Sequence, residues 1–537
     1  MNTAVFRRWL VNKAWIATCA SKYARFTKSL HQVEQTQTTN LMRLMRRNED
    51  TAFGRQHAFR RINSVSDYQQ AVPVAEYADF STHIEAIALG QRHVLTSEPV
   101  KLFHPTSGSQ SATKLIPWTS SLADEFQQGI APWVTSLYSR NPAIMKGRAY
   151  WSVSPRSTPS RTHGSMRVGF DGDSDYLGAL GKSLFSHVSV VTSEVANCSD
   201  VEQFKLRTLV ALLETEDLTL ISVWSPTFLT ILLEELMRRP DEILNELAKC
   251  GRGGAKQRGT SLARFLKGGT ELPFEKIWPN LQVISCWTHA ASEIYADNLR
   301  RYFPNVEMQA KGLLATEAFV SLPVRTDLDP VLAVTSHFYE FCDVITGEIR
   351  LAHELSERSV YSVIVTTGGG LYRYKLGDLV RVTGFLHQAP CLRFVGRQEC
   401  FSDLFGEKLN GSVVEELIKD SLSKLEITAR FFLLAPTLDS SGRTAYTLFL
   451  DADRSSSIAG LQRVVEQGLS SHFHYSHCRQ LGQLAELRIF HVHRELKCPE
   501  DIFMTEIHRR GQKLGDIKMV ALDAHLGWDQ RFSGGFV

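Results

Sequence analysis

Three short segments combine residue types able to handle a phosphorylated small molecule. The first, Thr106-Ser107-Gly108-Ser109-Gln110-Ser111-Ala112-Thr113-Lys114, gathers small hydroxyl residues around a glycine. Backbone N–H and side-chain O–H groups can there converge on phosphate oxygens while Lys114 adds charge. It is not a Walker loop, because Thr113 stands where the second glycine belongs and Leu115 where the Ser or Thr belongs. The second, Gly312-Leu313-Leu314-Ala315-Thr316-Glu317, ends an apolar run on a hydroxyl and a carboxylate, a pair that can hold phosphate through Thr316 and hydrated Mg²⁺ through Glu317. The third runs Gly370-Leu371-Tyr372-Arg373-Tyr374-Lys375-Leu376-Gly377-Asp378, then Leu379 to Gly384. Asp378, read in a turn between two strands, can accept both hydroxyls of a ribose. Downstream, Phe394-Val395-Gly396-Arg397 puts a guanidinium at another strand end, suited to ribose or phosphate. Taken singly, these are a surface turn, a solvated carboxylate, a turn aspartate and a surface arginine.

The elements that must position them alternate between helix and strand. Residues 1 to 30 carry Arg7, Arg8, Lys13, Lys22, Arg25 and Lys28 without an acid, the pattern of an ordinary first helix with a solvated face, a targeting or membrane-surface helix being the lesser alternative. A further helix is predicted over Gln32 to Arg47. Leu218 to Val223 reads as a buried strand, with Ser225 and Pro226 opening a helix; Leu281 to Ser285 is a second strand, followed by a helix that stops before Pro304. Gly251 to Gly259 and Ser152 to Ser165 read as surface loops. After residue 320 the texture turns to β: Val363 to Thr367, a turn at Gly368 to Gly370, Leu371 to Lys375 and Leu379 to Val382. From 398 on, strands such as Tyr446 to Leu450 mix with helices such as Ile458 to Leu469. The expected class is α/β: a large multi-layer domain over 1–397 with a β-rich end, and a small mobile α/β domain over 398–537.

At 537 residues, 43% apolar and 22% charged, the chain is globular, and its net charge of +3 supplies no field to recruit nucleic acid. The expected partners are small molecules, and the expected state is a monomer. Nine cysteines, thinly spread and without metal-ligand spacing, fit a reducing cytoplasm. No apolar run is long enough to span a membrane. His472, His474, His477 and Cys478 are the densest set of metal-ligand types, yet no helix or strand register aligns all four. Nucleophile-elbow, zincin-helix and dinucleotide-binding motifs are absent from the sequence.

In order and separation, the three segments resemble the adenylate-forming superfamily typified by firefly luciferase, and in particular its auxin-responsive acyl-acid amido synthetase branch in a bacterial-looking version. The family's phosphate loop resembles Thr106 to Pro117, its ATE segment Ala315 to Glu317, and its GLYRYxxGDxVxVTGF signature Gly370 to Phe385. Weaker likeness runs from about residue 35 to the end, including Thr51 to Gly54 and Phe405 to Leu409. The resemblance implies ATP and Mg²⁺, with Thr106, Ser107, Gly108, Ser109 and Lys114 on phosphate and Asp378 and Arg397 on ribose or phosphate. It further implies adenine against the turn at Ala291 and Ser292, metal on Glu317 and catalysis by Thr316, Glu317 and the mobile Lys518 of Gly515-Asp516-Ile517-Lys518. The implied reaction is adenylation of a carboxylic acid and transfer of the acyl group to an amine, that of an amino acid; the alternatives are transfer to coenzyme A, or a degenerate nucleotide-binding protein. Ser111 and Ala318 stand where the family carries glycine, and each Cβ would narrow the approach to a nucleotide. An acyl pocket is expected near Val223-Trp224 and Trp287, although two such tryptophans are more often plain core.

Overall fold

The computed structural model describes residues 3–106, 114–152, 161–170, 184, 187–190, 195, 198, 200–249, 255–266, 274–397, 401–402, 404–439, 442–452, 458–494, 497–510, 512 and 517–537. They divide into two compact units, Met1–Trp224 with Glu234–Trp287 and Tyr302–Phe394, and Ser225–Leu233 with Thr288–Arg301 and Val395–Val537.

The first unit opens with the basic helix, Thr3–Ser29. Its inner face buries Trp15 and Phe26, Trp15 meets Tyr138 edge-on at 5.9 Å, and Asn12 Nδ2 donates to Met145 O at 2.9 Å. The helix is therefore part of a core, as the first-helix reading expects. Val33–Asn48 follows, close to its expected bounds.

Four strands form a parallel sheet in the order β3 (Arg148–Trp151), β6 (Leu218–Ser222), β7 (Val283–Cys286), β8 (Glu307–Ala310). Every residue of β6 and β7 is buried, which is why these runs are unbroken rather than alternating: both sheet faces are covered. The predicted helices follow at Pro226–Arg238, assigned to the second unit only in part, and Glu293–Tyr302. The reading of Gly251 to Gly259 as a loop is corrected from residue 255 on, where the helix Ala255–Leu266 begins; the apolar spacing of Leu262 outweighs the weak propensity of Gly259. Residues 251–254 and 153–160 lie outside the described residues.

A second sheet of four strands runs β2 (Leu115–Trp118), β1 (Leu102–Pro105), β5 (Met166–Val168), β4 (Arg161–His163). The third has seven strands in the order β12 (Ile349–Leu351), β11 (Phe338–Asp343), β13 (Val360–Thr366), β14 (Tyr374–Leu386), β15 (Ala389–Arg397), β10 (Val331–Leu332), β9 (Ser321–Leu322). Here the expected strand Leu371–Lys375 is corrected to its last two residues, Tyr374 and Lys375, which run on through Leu379–Val382 as the single strand β14. Ser362 faces Leu379 and Ile364 faces Lys375, so Leu376, Gly377 and Asp378 stand against Val363 alone. That is a bulge, made possible by Gly377 at φ 81°, so Asp378 lies within a strand and not in a turn between two.

The second unit carries a two-stranded pair, β16 (Phe401–Ser402) with β17 (Leu409–Asn410), and a sheet in the order β18 (Ala429–Leu438), β19 (Thr444–Ala452), β20 (Ala485–Val492), β21 (Gly534–Phe536). Helices Gly411–Lys424 and Ile458–Ser470 cover it, burying Ile418, Leu461, Val465 and Leu469 against Leu434, Leu448 and Ile489. No helix among the described residues is long and apolar enough to cross a membrane.

Candidate functional site

The Thr-Glu pair sits at the tip of a miniature hairpin that β8 feeds. Leu314 bridges Phe319, Ala315 N donates to Ala318 O at 3.0 Å, and Thr316 and Glu317 form the turn. Gly312 lets this strand pass close to β9, since a Cβ there would lie 1.8 Å from Ser321 O. Thr316 is half-buried and Glu317 is 5% exposed, which corrects the plain reading of a solvated carboxylate.

Lys114 closes the first candidate loop from its far side. Thr106 N donates to Lys114 O at 2.9 Å, extending the β1–β2 pair by one residue and leaving 107–113 as the connection. Ser107, Gly108, Ser109 and Ser111 lie outside the described residues. Thr106 Oγ1 is shielded from solvent and, among the described residues, has no hydrogen-bond partner.

Tyr374 joins the two segments. Lys114 Nζ lies 3.4 Å from its hydroxyl, and that hydroxyl is 3.4 Å from Glu317 Oε1. The ammonium also stands 6.0 Å from the ring centres of both Tyr77 and Tyr374. Tyr77 Oη accepts from Leu115 N at 2.7 Å, and burial first, then the charges of Glu85 and Glu317, raise its phenol. A cation, two phenols and a buried carboxylate thus meet at one place, an arrangement able to hold a polyphosphate and a divalent cation. Tyr374 was legible only as a letter of the third segment, and nothing in the sequence signals Tyr77.

The rest of the third segment builds the support. Arg373, at φ 47°, forks onto Glu340 at 2.9 and 3.0 Å and donates to Gln69 O and Val72 O. Tyr372 Oη donates to Leu95 O at 2.7 Å. Asp378, 2% exposed, lies in the bulge of β14. A second buried pair ties the Thr-Glu hairpin to the Gly368–Gly370 turn. Glu125 Oε2 lies 2.8 Å from His337 Nδ1 and accepts from Gly368 N at 2.8 Å, while Phe319 N donates to His337 Nε2 at 3.0 Å. A backbone N–H can only donate, so Nε2 is the accepting nitrogen and Nδ1 carries the proton toward Glu125. Nothing in the sequence singles out either residue.

Tryptophans gather at the carboxyl ends of the parallel strands. Trp151 ends β3, Trp224 and Trp287 stand just beyond β6 and β7, and Lys311 follows β8. Trp287 N donates to Trp224 O at 2.8 Å and the two rings lie 6.0 Å apart; both are half-buried, which corrects the plain-core reading. Crevices outside the carboxyl ends of parallel strands are where α/β folds bind ligands. Burial draws the Lys311 ammonium down to about 7.

In the second unit, Ala291 and Ser292 belong to the 3₁₀ turn Ala290–Ser292, whose Ala290 O accepts from Lys419 Nζ at 3.0 Å; Ser292 is buried. Arg397 is the last residue of β15. Lys518 is half-buried between the buried Ile517 and Met519, with Gly515 and Asp516 outside the described residues. Its downstream chain is anchored: Leu434 N donates to Ala521 O, and Asp523 N to Leu434 O. Asp523 also takes Arg510 and Trp528 Nε1, and Glu506 gathers Arg509, Arg510 and Arg531. His472 caps the helix Phe473–Gln480, and among the described residues the His472–Cys478 set does not gather as a metal site.

Residues 22–308 match the model of the GH3 family N-terminal domain and residues 330–397 that of the GH3 family central domain. The indole-3-acetic acid-amido synthetase GH3.15 of Arabidopsis thaliana is 23% identical over 416 residues, covering 68% of this chain and 68% of that protein. The indole-3-acetic acid-amido synthetase GH3.2 of the same plant is 23% identical over 458 residues, 75% of this chain and 82% of its own. A solved structure, AtGH3.15 acyl acid amido synthetase in complex with 2,4-DB, superposes with a TM-score of 0.79 at 20% identity, covering 95% of this chain and 94% of that one. The fold is therefore the mixed α/β architecture expected from the sequence.

Proposed function

Because the chain belongs to the GH3 family, we propose that it is an ATP-dependent acyl-acid amido synthetase, which adenylates a carboxylic acid and passes the acyl group to the amine of an amino acid. The observation that carries this is the meeting of Lys114, Tyr77 and Tyr374 with the buried Glu317 at the Thr-Glu hairpin. The names of the relatives, amido synthetases of plants, support the same activity.

In the first half-reaction a carboxylate oxygen attacks the α-phosphorus of ATP and pyrophosphate leaves. Lys114 and the N–H and O–H groups of the loop that starts at Thr106, including Ser107, Gly108 and Ser109, receive the phosphates; Asp378 and Arg397 hold the ribose, and the turn at Ala291 and Ser292 the adenine. Thr316 Oγ1 orients a phosphate oxygen. Glu317 fits Mg²⁺, being a buried carboxylate beside the Tyr374 hydroxyl, and the cation would supply charge neutralisation on the polyphosphate. Lys518 bridges the substrate carboxylate and the α-phosphate while charge builds between them. In the second half-reaction an amine nitrogen attacks the acyl carbon, the C–O bond to phosphate breaks, AMP departs and the amine loses a proton to solvent. We read 1–397 as the fixed domain and 398–537 as the mobile one that delivers Lys518 and then clears the acceptor path. A reducing cytoplasmic setting, with which free thiols at Cys19, Cys198, Cys286, Cys342, Cys391, Cys478 and Cys498 agree, and a monomer complete the reading.

The test is a pyrophosphate-release screen over aromatic, aliphatic and small carboxylic acids, with pooled amino acids or coenzyme A as acceptor and products identified by mass. An amide is expected. A thioester would replace the acceptor, and no pyrophosphate with any acid would end the reading.

A further inference from the structure

Lys311 is a buried amine that the chemistry above leaves unused, and an entering anion would hold it in its charged form. It is 5% exposed, and its Nζ lies 4.1 Å from the ring centre of Trp224 and 5.5 Å from that of Trp133. Among the described residues the partners of its amine are these two indole faces, and no carboxylate pairs with it. Its backbone is fixed by Lys311 N donating to Cys286 O at 2.8 Å, and Trp133 is fixed by its own Nε1 on Gln309 Oε1 at 3.0 Å. The amine is thus held in place by the sheet, between two indoles, at the carboxyl ends of β6, β7 and β8.

A buried ammonium without a counter-charge is costly, and indole faces compensate only part of what water supplied. Such a site is complementary to an anion that enters with a ligand. The adenylated carboxyl is a poor candidate for that anion, because it loses its charge in the reaction and a fixed cation on it would stabilise substrate over transition state. That carboxyl must also reach the α-phosphate of a nucleotide held between Lys114 and Glu317, whereas Lys311 stands directly at the end of β8. We propose that Lys311 is the specificity-determining residue for the acyl acid, and that the preferred acid is flat or aromatic, sits against Trp224 and Trp287, and carries a second anionic group that pairs with Lys311 while its other carboxyl is adenylated. This rests on the amido synthetase reading and narrows it to a class of substrate. It explains why a lysine rather than an apolar residue follows β8: the tryptophans provide area for any planar acid, and only the ammonium selects among them.

The test compares matched acids in the full-length protein: benzoate with terephthalate, phenylacetate with 4-carboxyphenylacetate, and hexanoate with adipate as the non-aromatic control. In the wild type kcat/KM for pyrophosphate release should favour the aromatic diacid by at least about tenfold. Lys311→Met should lower the diacid value about a hundredfold, the scale for unpairing a buried charge, and leave the monoacids within about threefold. A thermal melt of Lys311→Met at or above the wild-type midpoint is expected, since a buried amine is removed; should that variant not fold, Lys311→Gln takes its place. Equal losses on mono- and diacids, or a wild-type preference for monoacids, overturns the proposal. If no acid releases pyrophosphate, the amido synthetase reading fails while the proposal is still decided by tryptophan fluorescence titration with the same pairs. Tighter diacid binding that Lys311→Met abolishes upholds it, and equal binding of the pair overturns it.

Discussion

Replacing Glu125 probes the support under the Thr-Glu hairpin directly. The carboxylate is 3% exposed, and both of its mapped partners, His337 Nδ1 and Gly368 N, sit on the same oxygen, Oε2, at 2.8 Å. Glu125→Leu leaves two buried donors without an acceptor, each costing about 1 to 3 kcal/mol, so the expected loss is about 2 to 6 kcal/mol. Glu125→Gln can place its carbonyl oxygen where Oε2 stands and keep both bonds in neutral form. It loses only the charge assistance, about 1 kcal/mol per bond, for a total of about 2 kcal/mol. The assay is urea unfolding followed by tryptophan emission, which reports the first unit because every tryptophan except Trp528 belongs to it. Midpoint shifts, with the slope held to the wild-type value, give the two numbers. A Leu variant within about 0.5 kcal/mol of wild type would refute the argument, as that is the range of an indifferent surface change. So would a Gln variant as damaged as Leu, which would mean the bonds are not the source of the effect.

Lys518→Ala should suppress acyl-adenylate formation by about a hundredfold or more while leaving amide formation from synthetic acyl-adenylate intact; equal loss in both half-reactions, measured separately, would remove Lys518 from the adenylation step. Glu317→Gln should raise the Mg²⁺ concentration needed for half-maximal pyrophosphate release, with partial recovery at high Mg²⁺; a wild-type metal dependence would refute its role. Glu506 is held down to about 2 from its ordinary 4.5 by the hydrogen bonds of Arg509, Arg510 and Arg531. Its stabilisation is therefore complete above about pH 4.5 and lost as pH falls toward 2. Circular dichroism of acid unfolding should show the wild type losing stability through that window more steeply than Glu506→Gln, and parallel curves would refute the assignment.

The sequence alone determined what depends on local order. Apolar runs at Leu218 to Val223 and Leu281 to Ser285 read as covered strands, and Ser225 with Pro226 as the opening of a helix, and the structure has them so. The letters Ala315 to Glu317 and Gly370 to Phe385 likewise carried the family, because short signatures survive where overall identity has fallen to 23%. Tertiary structure decided whatever depends on which distant residues meet. Tyr77, Lys114, Glu317 and Tyr374 come from four separate stretches, and no periodicity or spacing links them. The bulge that puts Asp378 inside β14 rather than in a turn arises from register with β13, a property of the pair and not of either strand. Glu125 and His337 are 212 positions apart, and each reads as a polar surface residue until burial removes water and leaves them only each other and two backbone N–H groups. Lys311 carries no signal in the sequence at all. Only the packing of Trp133 and Trp224 around it makes it a buried amine, because side-chain burial is set by neighbours that sequence order does not name.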